Sequence, residues 1–268
     1  MPKLSIDRGK IHYEESGSGD ETIVFSHGLL WSTRLYDPQV ATLSSRYRCI
    51  AYDHRGQGKS DVPDGPIVDM ETLYLDAVRL IESLDAAPCH FVGLSMGGFV
   101  GLRLAARRPD LVRSLTLLDT AADPEPTSNI GKYRKLNAVA RYLSIKLVSG
   151  QVMPIMFGET FLNDPERATL RAKWRAELES NDNSIYKAVN GVMYRPSVER
   201  EAQRIDVPTL VLWGEEDNAI SRDRCEDLAR LIEGARFVTI PEAGHSSTIE
   251  NPAVVNAELS DFIDGVES

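Results

Sequence analysis

The stretch HFVGLSMGGFVGLRLA, residues 90–105, changes periodicity across a single serine. From His90 to Leu94 it is an apolar run of strand length. From Met96 to Leu104 the apolar residues recur at helical spacing. Gly93, Ser95, Gly97 and Gly98 stand at the seam, a G-x-S-x-G pattern. A serine on a very tight strand-to-helix turn has a strained backbone, and its neighbours two before and two after must be small. Such a turn pushes the hydroxyl out at the carboxyl edge of a sheet and aims the next helix's N-terminus at it. A purely structural reading competes with this one: Gly93, Gly97 and Gly101 also form a ridge that lets a helix pack closely on a strand.

Working outward, eight segments read as strands by β-branched or apolar content and flanking turn residues. They are LSID (4–7), KIHYEES (10–16), TIVFSHG (22–28), YRCIAYD (47–53), CHFVGLS (89–95), SLTLLDT (114–120), TLVLWGE (209–215) and RFVTIPE (236–242). METLYLDAVRLIESL (70–84) carries a broad apolar face through Leu73, Leu75, Val78, Leu80, Ile81 and Leu84. The C-terminal helix is expected to start with Asn251 as N-cap and Pro252 at its first position. Val255, Leu259, Phe262 and Ile263 would line its inner face, and Gly265 would stop it. Two strands followed by alternating strands and helices imply an α/β fold with an eight-stranded, mostly parallel sheet flanked by helices. The alternation breaks between about 121 and 204, where helical patterns are separated by DPEPTS, VSGQ and NDNS. Asp164-Pro165-Glu166 reads as a helix start there. The expected organisation is a core of residues 1–120 and 205–268 with a helical cap, 121–204, over the carboxyl ends of the strands, where open α/β sheets bind ligands.

Serine is a weak nucleophile at neutral pH and needs a base, itself oriented by a carboxylate. Of the five histidines, His12, His54 and His90 lie in or beside strands and read as structural. His27, in SHGLL, is placed to shape a loop near the serine. His245, in PEAGHSST, follows the last strand and reads either as the base or as an ordinary loop residue. Two aspartates follow strands: Asp217 in LWGEED is preferred as the acid, with Asp119 in LLDT as its rival. Glu215 and Glu216 read as solvated. The chain order Ser95, Asp217, His245 is the one expected of a G-x-S-x-G serine in this strand–turn–helix setting.

Five pieces, SHGLL, YDHRGQGKS, GLSMGG, LWGEED and PEAGHSSTIENP, occur in this order along the chain. Together they resemble the α/β-hydrolase superfamily over essentially the whole length. GLSMGG and LDTAA are most similar to 3-oxoadipate enol-lactonase-like members and related small serine esterases. The resemblance implies Ser95 as nucleophile, His245 as base and Asp217 as orienting acid. It also implies an oxyanion hole from the backbone N–H groups of Leu29 and Met96. Met96 would sit in a first helical turn, where donors are unpaired and the dipole favours negative charge. Asp53, Arg55 and Gly56 match a motif that organises a loop beside the site. The implied activity is hydrolysis of a small carboxylic ester or lactone through an acyl-enzyme, without cofactor or metal. Cleavage of a C–C bond in a β-diketone and a non-catalytic ligand sensor are the alternatives on the same fold.

The cap would set the substrate. Met153, Met156, Phe157, Phe161 and Trp174, with Leu30, Trp31 and Met193, either wall an apolar pocket or form the cap's own core. Lys132, Arg134, Lys135 and Arg141 make the first cap helix basic, suited to attracting a carboxylate or simply to solvation. The net charge of −10 disfavours nucleic acid and anionic membrane surfaces as partners. A small-molecule ester or lactone substrate and a monomer or homodimer remain. Cys49, Cys89 and Cys225 are widely spaced and odd in number, and read as reduced structural thiols. With no apolar run of signal-peptide or membrane-span length, a cytoplasmic protein is expected.

Overall fold

The computed structural model describes residues 2–7 and 9–267. Its eight strands are β1 (Lys3–Ile6), β2 (Gly9–Ser16), β3 (Thr22–Ser26), β4 (Arg48–Tyr52), β5 (Cys89–Leu94), β6 (Val112–Leu118), β7 (Thr209–Gly214) and β8 (Arg236–Ile240). They form one sheet in the order β1-β2-β4-β3-β5-β6-β7-β8. β1 and β2 pair antiparallel, as do β2 and β4, and every later pair is parallel. β3, β5, β6 and β7 therefore share a carboxyl edge at the centre of the sheet.

Helices cover both faces. Around the first half of the sheet lie α1 (Asp37–Leu43), α2 (Met70–Ser83) and α3 (Met96–Arg107). Between β6 and β7 come α4 (Thr127–Tyr142), α5 (Ser149–Met156), α6 (Glu159–Asn163), α7 (Ala168–Glu179), α8 (Tyr186–Met193) and α9 (Glu199–Ala202). The chain closes with α10 (Arg222–Leu231), α11 (Ser247–Glu250) and α12 (Pro252–Glu267). Alternate strand residues feed opposite layers, as the pleat requires. Phe91 and Val211 join α2, α3 and α10 in one apolar cluster. Val92, Leu210 and Leu212 join α1 and α12 in the other, which also takes in Met153, Phe157 and Trp174 from the segment between β6 and β7.

Three local expectations are corrected. Leu75 is 55% exposed. It stands two residues from the buried Leu73, about 200° around the helix, so it faces away from the sheet. α12 runs past Gly265. A helical glycine costs only about 1 kcal/mol, and the fully buried Val255, Leu259 and Ile263 hold the helix to the sheet. VSGQ is not a separator: Val148 is the N-cap of α5 and the other three residues are its first turn. Asp164 does initiate structure, its carboxylate accepting from Glu166 N–H ahead of α7.

Candidate active site

Ser95 occupies the one-residue corner between β5 and α3, with φ 51° and ψ −110°. A non-glycine residue held there costs of order 1–3 kcal/mol and persists only where its surroundings fix it. Here Ser95 N–H donates to Leu118 O at 2.8 Å, and its own carbonyl accepts from Thr120 Oγ1 at 2.9 Å. The glycines serve both readings at once. A Cβ on Gly97 would lie 1.9 Å from Ser26 O, and one on Gly93 would lie 2.4 Å from Gly97 O. Close packing of α3 against β3 and β5 is therefore what holds the corner in its strained conformation.

Asp217 follows β7 and His245 follows β8, both at the carboxyl edge. His245 Nδ1 and Asp217 Oδ2 are 2.9 Å apart. The other carboxylate oxygen accepts from the N–H groups of Ala219 and Ile220 at 2.7 and 3.1 Å, which fixes the aspartate's rotamer. Burial pushes the His245 imidazole pKa down, but the charge and hydrogen bond of Asp217, with Asp119 and Glu250 behind, hold it above the ordinary value. Ser95 and His245 line one cavity. With Nδ1–H on the carboxylate, Nε2 is left as the basic nitrogen of His245.

Asp119, the rival acid, is fully buried with φ 50° and bonds elsewhere, to Gly214 N–H at 2.7 Å and Ser247 Oγ at 2.5 Å. Burial, then the neighbouring Asp217 charge, push its carboxyl well above the usual carboxylate range. It ties the end of β7, three residues before Asp217, to the start of α11, two residues past His245. The remaining histidines are structural. His12 contacts Pro2 O and Glu14, and His90 contacts Ser114 and Glu21. His27 donates from Nδ1 to Gly28 O and accepts His54 N–H at Nε2, and burial holds it neutral by pushing its pKa down.

The N–H groups of Leu29 and of Met96, the first residue of α3, make no backbone hydrogen bond among the described residues. Gln57 was not singled out from the sequence, yet it bridges the residue after Leu29 and the side chain of Met96. Its Oε1 accepts from Leu30 N–H at 2.7 Å, and its Nε2 lies 3.7 Å from Met96 Sδ. Gln57 sits inside DHRGQGKS, so the motif was visible but not which of its side chains turns inward. Asp53 takes the N–H groups of Thr33 and Lys59, and Arg55 makes a two-pronged pair with Asp76. Both shape the loop, as does Gly56 with φ 80°.

The cavity above Ser95 measures about 120 Å³. Leu29, Leu30, Met156 and Met193 line it, joined by Leu136, Ile145 and Ile155. Trp31, Met153, Phe157, Phe161 and Trp174 do not: they are the packed centre beside it. Trp31 meets Phe157 and Trp174 edge-on at 5.6 and 5.3 Å, and Phe157 stacks on Phe161 at 4.6 Å. One ion pair also reaches the wall. Arg195 Nη1 and Glu125 are 3.0 Å apart with side chains 2% and 5% exposed, and the guanidinium lies 4.2 Å over the Phe99 ring. Seventy residues separate the two partners, so no local pattern announces the pair.

The segment between β6 and β7 is fastened to the loop carrying His245. Glu250 accepts from Gly158 N–H at 2.7 Å and Ser246 N–H at 3.1 Å. Burial pushes its carboxyl up to about 7 against those donors. Glu216, expected to be solvated, instead receives Thr160 N–H and Oγ1 at 2.7 and 2.5 Å. A Cβ on Gly244 would lie 2.2 Å from Gly158 N, so the two backbones touch.

A strained serine corner and a carboxylate-bound imidazole at the carboxyl edge of a mostly parallel sheet are the arrangement of the α/β-hydrolase class. The chain belongs to the alpha/beta hydrolase fold family, whose model matches residues 21–252. RutD of Pseudomonas syringae pv. syringae (strain B728a), a carbamate hydrolase by name, is 28% identical over 90% of this chain and 93% of its own. The enol-lactonase from Burkholderia xenovorans LB400 superposes with a TM-score of 0.90 at 30% identity, covering 98% of this chain and 100% of that one. A thermophilic esterase from Thermogutta terrifontis does so at 0.91 and 27%, covering both chains fully.

Proposed function

We propose that the protein is a serine hydrolase that cleaves a small carboxylic ester or lactone through an acyl-enzyme, with residues 121–204 as its cap. The observation that carries this reading is the 2.9 Å contact of His245 Nδ1 with Asp217, with the imidazole sharing a cavity with Ser95. In the first step Ser95 Oγ attacks the substrate carbonyl while His245 Nε2 takes its proton. Asp217 stabilises the imidazolium that forms. The N–H groups of Leu29 and Met96 receive the negative charge on the carbonyl oxygen, where one such donor is worth about 10²–10³ in rate in other enzymes. His245 then protonates the leaving oxygen, and water, deprotonated by the same nitrogen, releases the acid.

The apolar wall favours an alkyl or alkenyl acyl group. The similarity to an enol-lactonase and an esterase supports carbon–oxygen acyl chemistry over C–C cleavage. The test is a fluorophosphonate adduct located by intact mass and peptide mapping, followed by turnover of p-nitrophenyl butyrate. A single adduct on Ser95, absent from Ser95→Ala, is expected. In Ser95→Ala, turnover should fall by at least about 10⁴. A folded wild-type protein that takes no adduct and turns over no ester would put the ligand-sensor reading in its place.

A further inference from the structure

The net charge of −10 conceals a segregated segment. Residues 127–158 hold Lys132, Arg134, Lys135, Arg141 and Lys146 and not one Asp or Glu. All five cations are exposed, and none makes an ion pair among the described residues. Arg141 stacks on Tyr142 and Tyr186, and Lys146 lies near enough to Glu179 to be felt by its carboxylate.

The same segment carries the most exposed large apolar side chains of the described residues. Tyr142 is 71%, Leu147 65% and Leu143 63% exposed. They cluster where α4 ends and a short 3-10 turn, Ile145–Leu147, begins. This corner has two faces. Ala140, Ile145 and Val148 turn inward onto the cavity above Ser95, while Tyr142, Leu143 and Leu147 turn outward. Exposed apolar groups that sit together on a stretch of chain whose only charged residues are cations mark an interaction surface. The chemistry that matches both halves is an apolar phase with an anionic skin. A soluble carboxylate would meet the cations and leave the leucines without purpose.

From these observations we infer that the Tyr142–Leu147 corner docks the protein on an anionic lipid or amphiphile surface, with the cavity mouth next to the interface. Leu143 and Leu147 enter the acyl boundary. Lys132, Arg134, Lys135 and Arg141 meet the head groups. An amphiphilic acyl substrate then passes from the interface into the apolar cavity without crossing bulk water. The acidic remainder of the chain is repelled by the same surface, which orients the docked molecule.

The test is flotation of the whole protein with vesicles at low ionic strength, comparing phosphatidylcholine alone with an equal mixture of phosphatidylcholine and phosphatidylglycerol. Binding to the mixed vesicles only, released by salt, is expected. Replacing two cations together, R134Q with K135Q, should lower the partition coefficient about 30-fold. L143S with L147S should lower it about tenfold or more. Both variants should keep the wild-type circular dichroism spectrum and thermal midpoint, which shows that they fold. Vesicle binding is read without any turnover, so a failure of the esterase reading leaves this result standing. Wild-type protein that ignores anionic vesicles, or variants that bind as wild type does, would overturn the inference. So would a dimer in sedimentation velocity that dissolves in L143S with L147S, because the corner would then belong to a second copy.

Discussion

The sheet and the helical segment above it are held together by different physics. In the central strands β3, β5 and β7 every residue is buried. The polar groups at their carboxyl ends are pinned by short hydrogen bonds, as Asp217 is by two backbone N–H groups and His245. By contrast α4, with 16 residues, buries only Asn137 and Ala140. α7 buries only Trp174 and Leu178 of its 12. The proposed catalytic groups stand on a body in which a small displacement breaks a hydrogen bond. Much of the cavity wall stands on helices whose contacts are apolar and tolerant. Chemistry and selectivity should therefore respond to mutation on different scales.

The largest difference is expected between the two aspartates of the sheet edge. Asp217→Asn should lower kcat/KM by about 10⁴ through loss of imidazole orientation and charge. Asp119→Asn should cost less than about 10², since it touches Ser247 and Gly214 rather than His245. Hydrolysis rates for the pair decide this, and the reverse ranking would move the acid to β6. The same pair sharpens the titration of His245. Catalysis requires the neutral imidazole, so activity is lost as pH falls through its pKa. That limb of the kcat/KM profile should lie above histidine's ordinary 6.5, because Asp217 and its neighbours outweigh burial. Asp217→Asn should move the limb downward.

The helical segment should answer in stability. Arg195→Met leaves Glu125 buried without its cation, a change that costs about 3–5 kcal/mol in comparable pairs. Trp174→Ala opens a hole beside Trp31 at a similar cost of about 3–5 kcal/mol. Both are measured by chemical denaturation, and a loss below about 1 kcal/mol in either would show the segment to be looser than its contacts imply. The smallest effect is expected on the cavity wall. Ile155→Ala should raise kcat/KM for longer acyl chains relative to p-nitrophenyl acetate by about 10-fold, the range a methylene or two commands in an apolar pocket.

The same contrast explains what the sequence made legible. Strands buried on both faces read as near-continuous apolar runs, and their turn residues mark the ends, so TIVFS, CHFVGL and TLVLWG stand out. Ser95, Asp217 and His245 lie at those punctuation points, and strand topology alone brings such points to one edge. The cavity wall was less legible. Trp31, Phe157, Phe161 and Trp174 have the composition of a pocket but the position of a core. Which helical stripe faces a cavity depends on how helices pack, and periodicity does not carry that information. Gln57, Arg195 and Glu250 were missed for a related reason. Each acts through a partner distant in sequence, and a lone polar residue outside the strands gives no sign that it will be buried.

The touching backbones of Gly158 and Gly244, flanked by the Glu250 and Glu216 bonds, have a consequence for anyone exchanging the helical segment between relatives. Ser95 and Met96 stand at the junction of β5 and α3, where a transplanted segment would disturb them least, whereas the loop of Leu29 leans on the segment through Asn181 on Leu30 O and Trp174 on Trp31. His245 is one residue from the contact with Gly158, so a foreign segment reseats the base. A chimera that keeps Phe157-Gly158-Glu159-Thr160 should inherit a working centre with a new appetite, whereas one that loses them should bind the new substrate and fail to turn it over.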